Sequence, residues 1–346
     1  MNSGGQEQPL SEQTGGGGPS VRHEDAALST GAGPAVKCIV CGSATQQLVW
    51  TVHDSLLNYP GEFKIVRCLV CGTLRMSPRP PFQQRRESFD DRYPLFDWAL
   101  GRKRAEAPRR IARFAAQIDQ INNRHRPGRL LDVGCGDGYF LLGMQQRGWQ
   151  VRGIELNGKV AAYAREELDL DVVAGAEHEV DWDGQYDCIT MLGVLEDVDD
   201  PAALLGRCHE HLADDGMLVV QTHNIASWEA RLFGPDWFNV EAPRHVWHFT
   251  PQTLERLLAD NHFVKRDLFH YGSAYVTERS IENRRGRAFP SSSVDRLLRK
   301  AVVEPAAKLL PRLGQGIMIE AYVFKAGQGG PVSGSRPGFA KMDANE

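Results

Sequence analysis

The sequence predicts an α/β domain on a seven-stranded, mostly parallel sheet with helices on both faces, plus a small N-terminal metal-dependent unit. Three observations carry this. Between Arg129 and Lys325, short near-continuous apolar runs alternate with amphipathic stretches, the pattern of parallel strands buried on both faces. The first run ends in a turn of alternate glycines, RLLDVGCGDGYF at 129–140. Upstream, CIVCG and CLVCG place four cysteines in one short segment.

The strands are expected at 129–134, 150–155, 171–173, 186–192, 216–222, about 263–270 and 317–325. Helices are expected at 139–147, 158–168, 201–212 and 251–260. Ahead of the first strand, 102–125 reads as one helix. There Ile111, Phe114, Ala115, Ile118 and Ile121 share a face, and Pro127-Gly128 ends it. Residues 1–35 and 327–346 are Gly-rich and poor in apolar residues, so both are expected to be disordered tails. Between them the expected divisions are a zinc ribbon at 36–80, a helical linker or lid at 81–128 and the main domain at 129–326. Acceptor-side insertions are expected at 223–250 and 273–314.

Composition narrows the function classes. A chain of 346 residues with net charge −4 has no global attraction for nucleic acid or acidic membranes. No run is long and apolar enough to span a bilayer, and no secretory leader is evident. Seven cysteines, four of them in CxxC pairs, suit a reducing compartment and metal rather than disulfides, so a cytoplasmic setting is expected.

The glycine turn joins a strand to a helix at the carboxyl edge of the parallel sheet, where open α/β folds bind ligands. Gly134, Gly136 and Gly138 let backbone approach a ligand closely. The spacing GxGxG is not the dinucleotide GxGxxG, and GxxxxGK[ST] is absent. Asp132, two residues before the first glycine, would repel a pyrophosphate and suits a cationic ligand group. Cys135 reads as a small packed side chain, and Cys188 and Cys208 as core.

LDVGCGDGYF resembles the first motif of the class I S-adenosylmethionine-dependent methyltransferases, a Rossmann-like family. The later segments GIEL, YD at 186–187, LGVLEDVDDPAALL and RHVWHFTPQTLERLLADNHF are similar to that family's successive motifs in order. The resemblance implies S-adenosylmethionine as cofactor, bound by Asp132, Gly134, Cys135, Gly136, Gly138, Glu155, Leu156, Ala176, Glu177 and Leu192. Glu155, ending the second strand, would take the ribose hydroxyls, and the 174–177 neighbourhood would line the adenine.

Cys38, Cys41, Cys68 and Cys71 can offer Zn²⁺ a closed tetrahedral thiolate cage, a structural site with no position left for water. Zinc ribbons precede this fold in sugar C-methyltransferases and in some ribosomal RNA methyltransferases. PRHVWHFT resembles the sugar enzymes' His-Glu-His segment, but Arg244 stands where the glutamate would be. O-methylation of a saccharide or related small molecule therefore fits better than C-methylation. His245 and His223 are the candidate bases, with Trp237, Phe238 and Trp247 as aromatics that can stack on an acceptor. Glu196 and Asp197 read as caps of the helix near Pro201 ahead of a divalent-ion site.

Two rivals remain at this level. An RNA methyltransferase with ribbon contacts draws on Arg284, Arg285, Arg287, Arg296 and Arg299, but the net charge is acidic and an NPPY-type motif is missing, so nucleic acid is disfavoured as a partner. A non-catalytic cofactor-binding scaffold would have no need of Asp132, the glycine turn and Glu155 together. The acceptor and the oligomeric state are not encoded in any motif.

Overall fold

The computed structural model describes residues 37–89 and 107–327. Its central sheet contains β4 (Arg129–Val133), β5 (Gln150–Glu155), β6 (Val172–Ala174), β7 (Tyr186–Leu192), β8 (Leu212–His223), β10 (Phe263–Tyr271) and β11 (Met318–Lys325). They lie in the order β10-β11-β8-β7-β4-β5-β6, and only β11 runs against its neighbours. The seven-stranded, mostly parallel sheet expected from the sequence is therefore present.

Successive residues of each strand point to opposite faces, and both faces are dry. Leu130, Cys188, Met217, Val219 and Tyr322 pack into one core, Leu131, Val133, Ile189, Met191, Leu218 and Val220 into the other. The first core is covered by α3 (Ala115–Asn122), α4 (Tyr139–Gln146) and α5 (Gly158–Leu168), the second by α6 (Pro201–His211) and α8 (Pro251–Asp260). Burial on both sides is why these strands read as unbroken apolar runs.

The segment expected as one helix over 102–125 is interrupted. α2 (Ala107–Ile111) passes through a 3₁₀ turn at Ala112–Phe114 into α3, and positions 90–106 lie outside the described residues. Three residues per turn instead of 3.6 shifts the phase of the buried face. Ile118 and Ile121 are buried, whereas Ala115 is exposed. Of the tails, positions 1–36 and 328–346 also lie outside the described residues.

The cysteine segment forms β1 (Gln46–Val52), β2 (Phe63–Cys68) and β3 (Leu74–Met76), an antiparallel sheet that takes a fourth strand from far along the chain. This is β9 (Trp247–His248), paired through Leu74 to His248 and Arg75 to Trp247. The Met76 amide also donates to the Val246 carbonyl at 2.9 Å. Four residues before β9's second position, Arg244 is fully buried. It makes two hydrogen bonds to the Asp54 carboxylate, at 2.6 and 3.1 Å, and one to Glu241 at 3.1 Å. The arginine that departs from the sugar-enzyme pattern thus fastens the 241–248 segment to the cysteine unit.

The 273–314 segment is helical: α9 (Ala274–Arg285), α10 (Ser293–Leu298), a π-helical stretch at Arg299–Val303 and α11 (Glu304–Leu309). A short α7 (Trp228–Phe233) and α1 (Phe82–Glu87) complete the described helices.

Removing one side of a buried ion pair strands the other charge. Asp54→Asn and Arg244→Met are each expected to cost about 3–5 kcal/mol in denaturant unfolding. Arg244→Lys is expected to recover only a minor part, because an ammonium cannot bridge both carboxylate oxygens as the guanidinium fork does.

Candidate functional site

Beyond β4 the chain turns through Gly134, Gly136 and Gly138, all at positive φ (72°, 53° and 80°), before α4 begins. A Cβ on Gly134 would sit 2.4 Å from Val194 Cγ2, so glycine is enforced there by packing. Around Gly136 a Cβ would meet nothing within 4 Å. Its bare backbone faces open space, as a contact point for a ligand requires.

That space is a cavity of about 400 Å³ at the carboxyl ends of β4, β5 and β7. Asp132 and Glu155 both line it and are both almost fully buried. The Thr190 hydroxyl donates to Asp132 Oδ1 at 2.6 Å. The amides of Gly136 and Asn157 donate to the two oxygens of Glu155, at 2.9 and 2.7 Å. Burial pushes Asp132 up to about 7, with the neighbouring Glu155 charge adding to it and the Thr190 bond opposing. Burial likewise raises Glu155 to about 7 against the pull of the Asn157 and Gly136 amides. Two carboxylates held this way lower their own cost when a cation or hydroxyl donors arrive.

Leu156, Ala176, Glu177 and Leu192 line the same cavity, as do Gly134, Cys135 and Gly136. Gly138 does not line it; it packs against Leu170 as the residue preceding α4. The Cys135 sulfur is turned toward Gly153, where burial keeps its thiol well above its ordinary pKa. Sequence reasoning missed a clamp over the turn. Arg110 of α2 pairs with Asp137 and stacks 4.5 Å from the Tyr139 ring centroid. Phe82, Phe89, Phe114 and Phe140 supply the aromatic wall.

His223, the last residue of β8, and His245 come together with ring centroids 4.4 Å apart. Neither lines the cavity; Asp197 does, with Oδ1 3.8 Å from His245 Nε2. His245 donates from Nδ1 to the Asn239 carbonyl at 3.0 Å. Burial opposes a charge on His245, yet the Glu241, Asp197 and Glu196 carboxylates raise its pKa. Burial, with His245 and His248 nearby, depresses His223 well below its usual value. Trp237 and Trp247 are buried in the core beside these groups rather than set along the cavity, and Trp247 donates to the Val198 carbonyl at 3.0 Å. The helix at Pro201 is capped by Asp200, whose carboxylate accepts from Ala202 and Ala203 at 3.0 Å. Glu196 and Asp197 are therefore not caps; Glu196 is fully buried and Asp197 half-buried, both beside the histidines.

Cys38, Cys41, Cys68 and Cys71 converge with sulfurs 3.5 Å apart (Cys38 to Cys71) and 3.4 Å apart (Cys41 to Cys68). A zinc tetrathiolate with 2.3 Å bonds has sulfurs about 3.8 Å apart, so the set fits a structural Zn²⁺ with a small expansion. Burial works against ionisation of Cys68, but the amides of Cys71 and Val70 bring its pKa down to about 7.

Residues 100–267 match the family model described as "Methyltransferase domain". The chain is 31% identical over 160 residues to a protein named ubiquinone biosynthesis O-methyltransferase from Psychrobacter cryohalolentis, covering 41% of this chain and 62% of that one. A protein of the same name from Bradyrhizobium sp. is 31% identical over 147 residues, 39% of this chain and 58% of its own length. The chain thus spans about three-fifths of the curated relatives it matches. Among solved structures, a SAM-dependent methyltransferase from Archaeoglobus fulgidus aligns with 63% of this chain and 94% of its own, at 21% identity and TM-score 0.43. The plantazolicin methyltransferase BpumL with SAH covers 71% and 94%, at 17% identity and TM-score 0.44.

Because Asp132 and Glu155 hold protons more tightly when folded than when unfolded, the ligand-free protein loses stability as pH rises from about 5 to above 7. A cationic ligand reverses this. The rise in melting temperature on adding S-adenosylmethionine is expected to be larger at pH 8 than at pH 6. Glu155→Gln is expected to flatten the ligand-free slope and weaken donor binding about 10- to 100-fold, the loss of one charged hydrogen bond. Chelation under reducing conditions, or Cys68→Ser, is expected to lower the melting temperature, with zinc re-addition restoring only the wild-type protein.

Proposed function

We propose that the protein is an S-adenosylmethionine-dependent methyltransferase that methylates a hydroxyl oxygen of a small molecule, a saccharide or related metabolite. One observation carries this reading: two buried carboxylates and a bare glycine backbone ring a cavity at the carboxyl edge of a parallel sheet. When bound, S-adenosylmethionine supplies a methyl group made electrophilic by its sulfonium. Glu155, its carboxylate already oriented by two backbone amides, takes the ribose hydroxyls. Asp132 complements the donor's positive end, and Leu156, Ala176, Glu177 and Leu192 shape the adenine and sulfur side. Gly134, Cys135, Gly136 and Gly138 form the turn that lets the donor approach.

The acceptor enters from the side where Asp197 meets the cavity. Asp197, backed by His245 and His223, takes the hydroxyl proton as the oxygen attacks. Positioning and exclusion of water by the aromatic wall supply the rest. The names of the curated relatives favour oxygen over carbon as the methylated atom.

The arginine-rich 273–314 segment gives little support to an RNA substrate. Arg284 pairs with Asp236, Arg285 and Arg287 with Asp295, and Arg299 with Glu278. Cations paired with acids in this way do not present an open phosphate track. No described helix is long and apolar enough to cross a membrane, and a cytoplasmic setting fits the cysteine chemistry.

The test is release of S-adenosylhomocysteine with a panel of hydroxylated small molecules and with total RNA. Turnover on a small hydroxylated acceptor and none on RNA is expected. Donor binding without turnover on any acceptor would support the scaffold instead. Asp197→Asn and His245→Gln are each expected to lower kcat on the order of 10²-fold or more, with donor affinity by calorimetry unchanged.

A further inference from the structure

Behind the cavity wall lies a knot of buried polar atoms that the donor pocket does not use. Glu196 is fully buried, and neither of its carboxylate oxygens makes a well-formed hydrogen bond; the Thr222 hydroxyl is the one donor placed near it. Asp197 Oδ1, His223 Nδ1 and both ring nitrogens of His248 likewise lack a hydrogen-bond partner. Buried carboxylate oxygens and imidazole nitrogens left without partners are unfavourable, and a cation held among them would satisfy the carboxylate and the ring lone pairs together.

Three of these side chains converge. Glu196, His223 and His245 each offer one ligand atom, and the three atoms lie within 4.8 Å of one another. His223 Nδ1 stands 3.1 Å from Glu196 Oε1 without the alignment of a hydrogen bond. His245 has the arrangement typical of a ligating imidazole. Its Nδ1–H is spent on the Asn239 carbonyl, which in the neutral ring leaves the Nε2 lone pair facing inward. Nε2 lies 3.6 Å from Glu241 Oε2 and 3.8 Å from Asp197 Oδ1.

We propose that Glu196, His223 and His245 bind a divalent transition-metal ion of the Zn²⁺, Mn²⁺ or Fe²⁺ class just behind the Asp197 wall of the cavity. Two imidazoles and one carboxylate select borderline first-row ions over Mg²⁺ or Ca²⁺, which take all-oxygen sets. Three protein ligands leave coordination positions open, unlike the closed cysteine cage. Asp197 stands between this site and the cavity, so a cation here would hold that carboxylate ionised and ready to take an acceptor hydroxyl's proton. That use of the ion rests on the methyltransferase reading; its binding does not. With His245 engaged as a ligand, Asp197 is the group left to take the proton.

The experiment uses the full chain, stripped of metal under reducing conditions and titrated with Co²⁺ while its visible spectrum is followed. Two equivalents are expected: one with intense thiolate-to-cobalt bands from the four cysteines, one with the weak spectrum of nitrogen and oxygen ligands. Glu196→Gln and His223→Asn are each expected to bind a single equivalent with the thiolate bands intact, and those bands report that the ribbon remains folded. Uptake of one equivalent by the wild-type chain overturns the proposal, and so does a second equivalent that persists in both variants. A second equivalent that is lost on His125→Asn instead would place it at the His125, Asp187 and Asp215 group and would also overturn the proposal. Failure of methyl transfer would leave the metal count unchanged, so the two readings fail separately.

Discussion

Two carboxylates that the fold keeps out of water govern this molecule. Asp132 and Glu155 lie at the carboxyl ends of adjacent parallel strands, penultimate in β4 and last in β5, and their oxygens are met by a threonine hydroxyl and backbone amides. Burial without full ionic compensation is costly, and a sheet edge accepts that cost where a ligand recovers it. The neighbouring features follow from the same need. Gly136 exposes backbone to the cavity, Gly134 makes room for Val194, and Arg110 closes the turn by holding Asp137.

The cysteine unit is coupled to this centre rather than appended to it. Its sheet accepts β9, and β9 lies in the segment that carries Arg244, His245 and His248. Arg244 spans the junction, satisfying Asp54 in the cysteine unit and Glu241 in the segment that leads to β9. The four cysteines fit a zinc ion, and the sheet that they anchor is also the one that fixes β9 beside the polar cluster behind Asp197.

Much of the architecture could be read from local signals. The strands at Gln150–Glu155 and Tyr186–Leu192 and the helices at Gly158–Leu168 and Pro251–Asp260 stand where the pattern put them. Their ends are marked by residues that act locally, such as the Asn157 and Thr250 side chains capping their helices. What escaped the sequence depends on distant partners. β9 is two residues long and exists only because β3 lies beside it. Arg244 looked like a departure from a motif, since its partner Asp54 is 190 positions away. Glu196 and Asp197 seemed to be caps because a helix starts nearby, and Asp200 takes that role instead. The histidines were legible as a pair of candidates, but that Asp197 stands between them and the cavity was not.

The most direct test of the account is a crystal structure with S-adenosylhomocysteine. It predicts ribose hydroxyls within hydrogen-bond distance of Glu155, the amino-acid end beside Asp132 and the Gly136 backbone, and the sulfur facing the Asp197 wall. Density for the cofactor product away from both carboxylates would contradict the account at its centre.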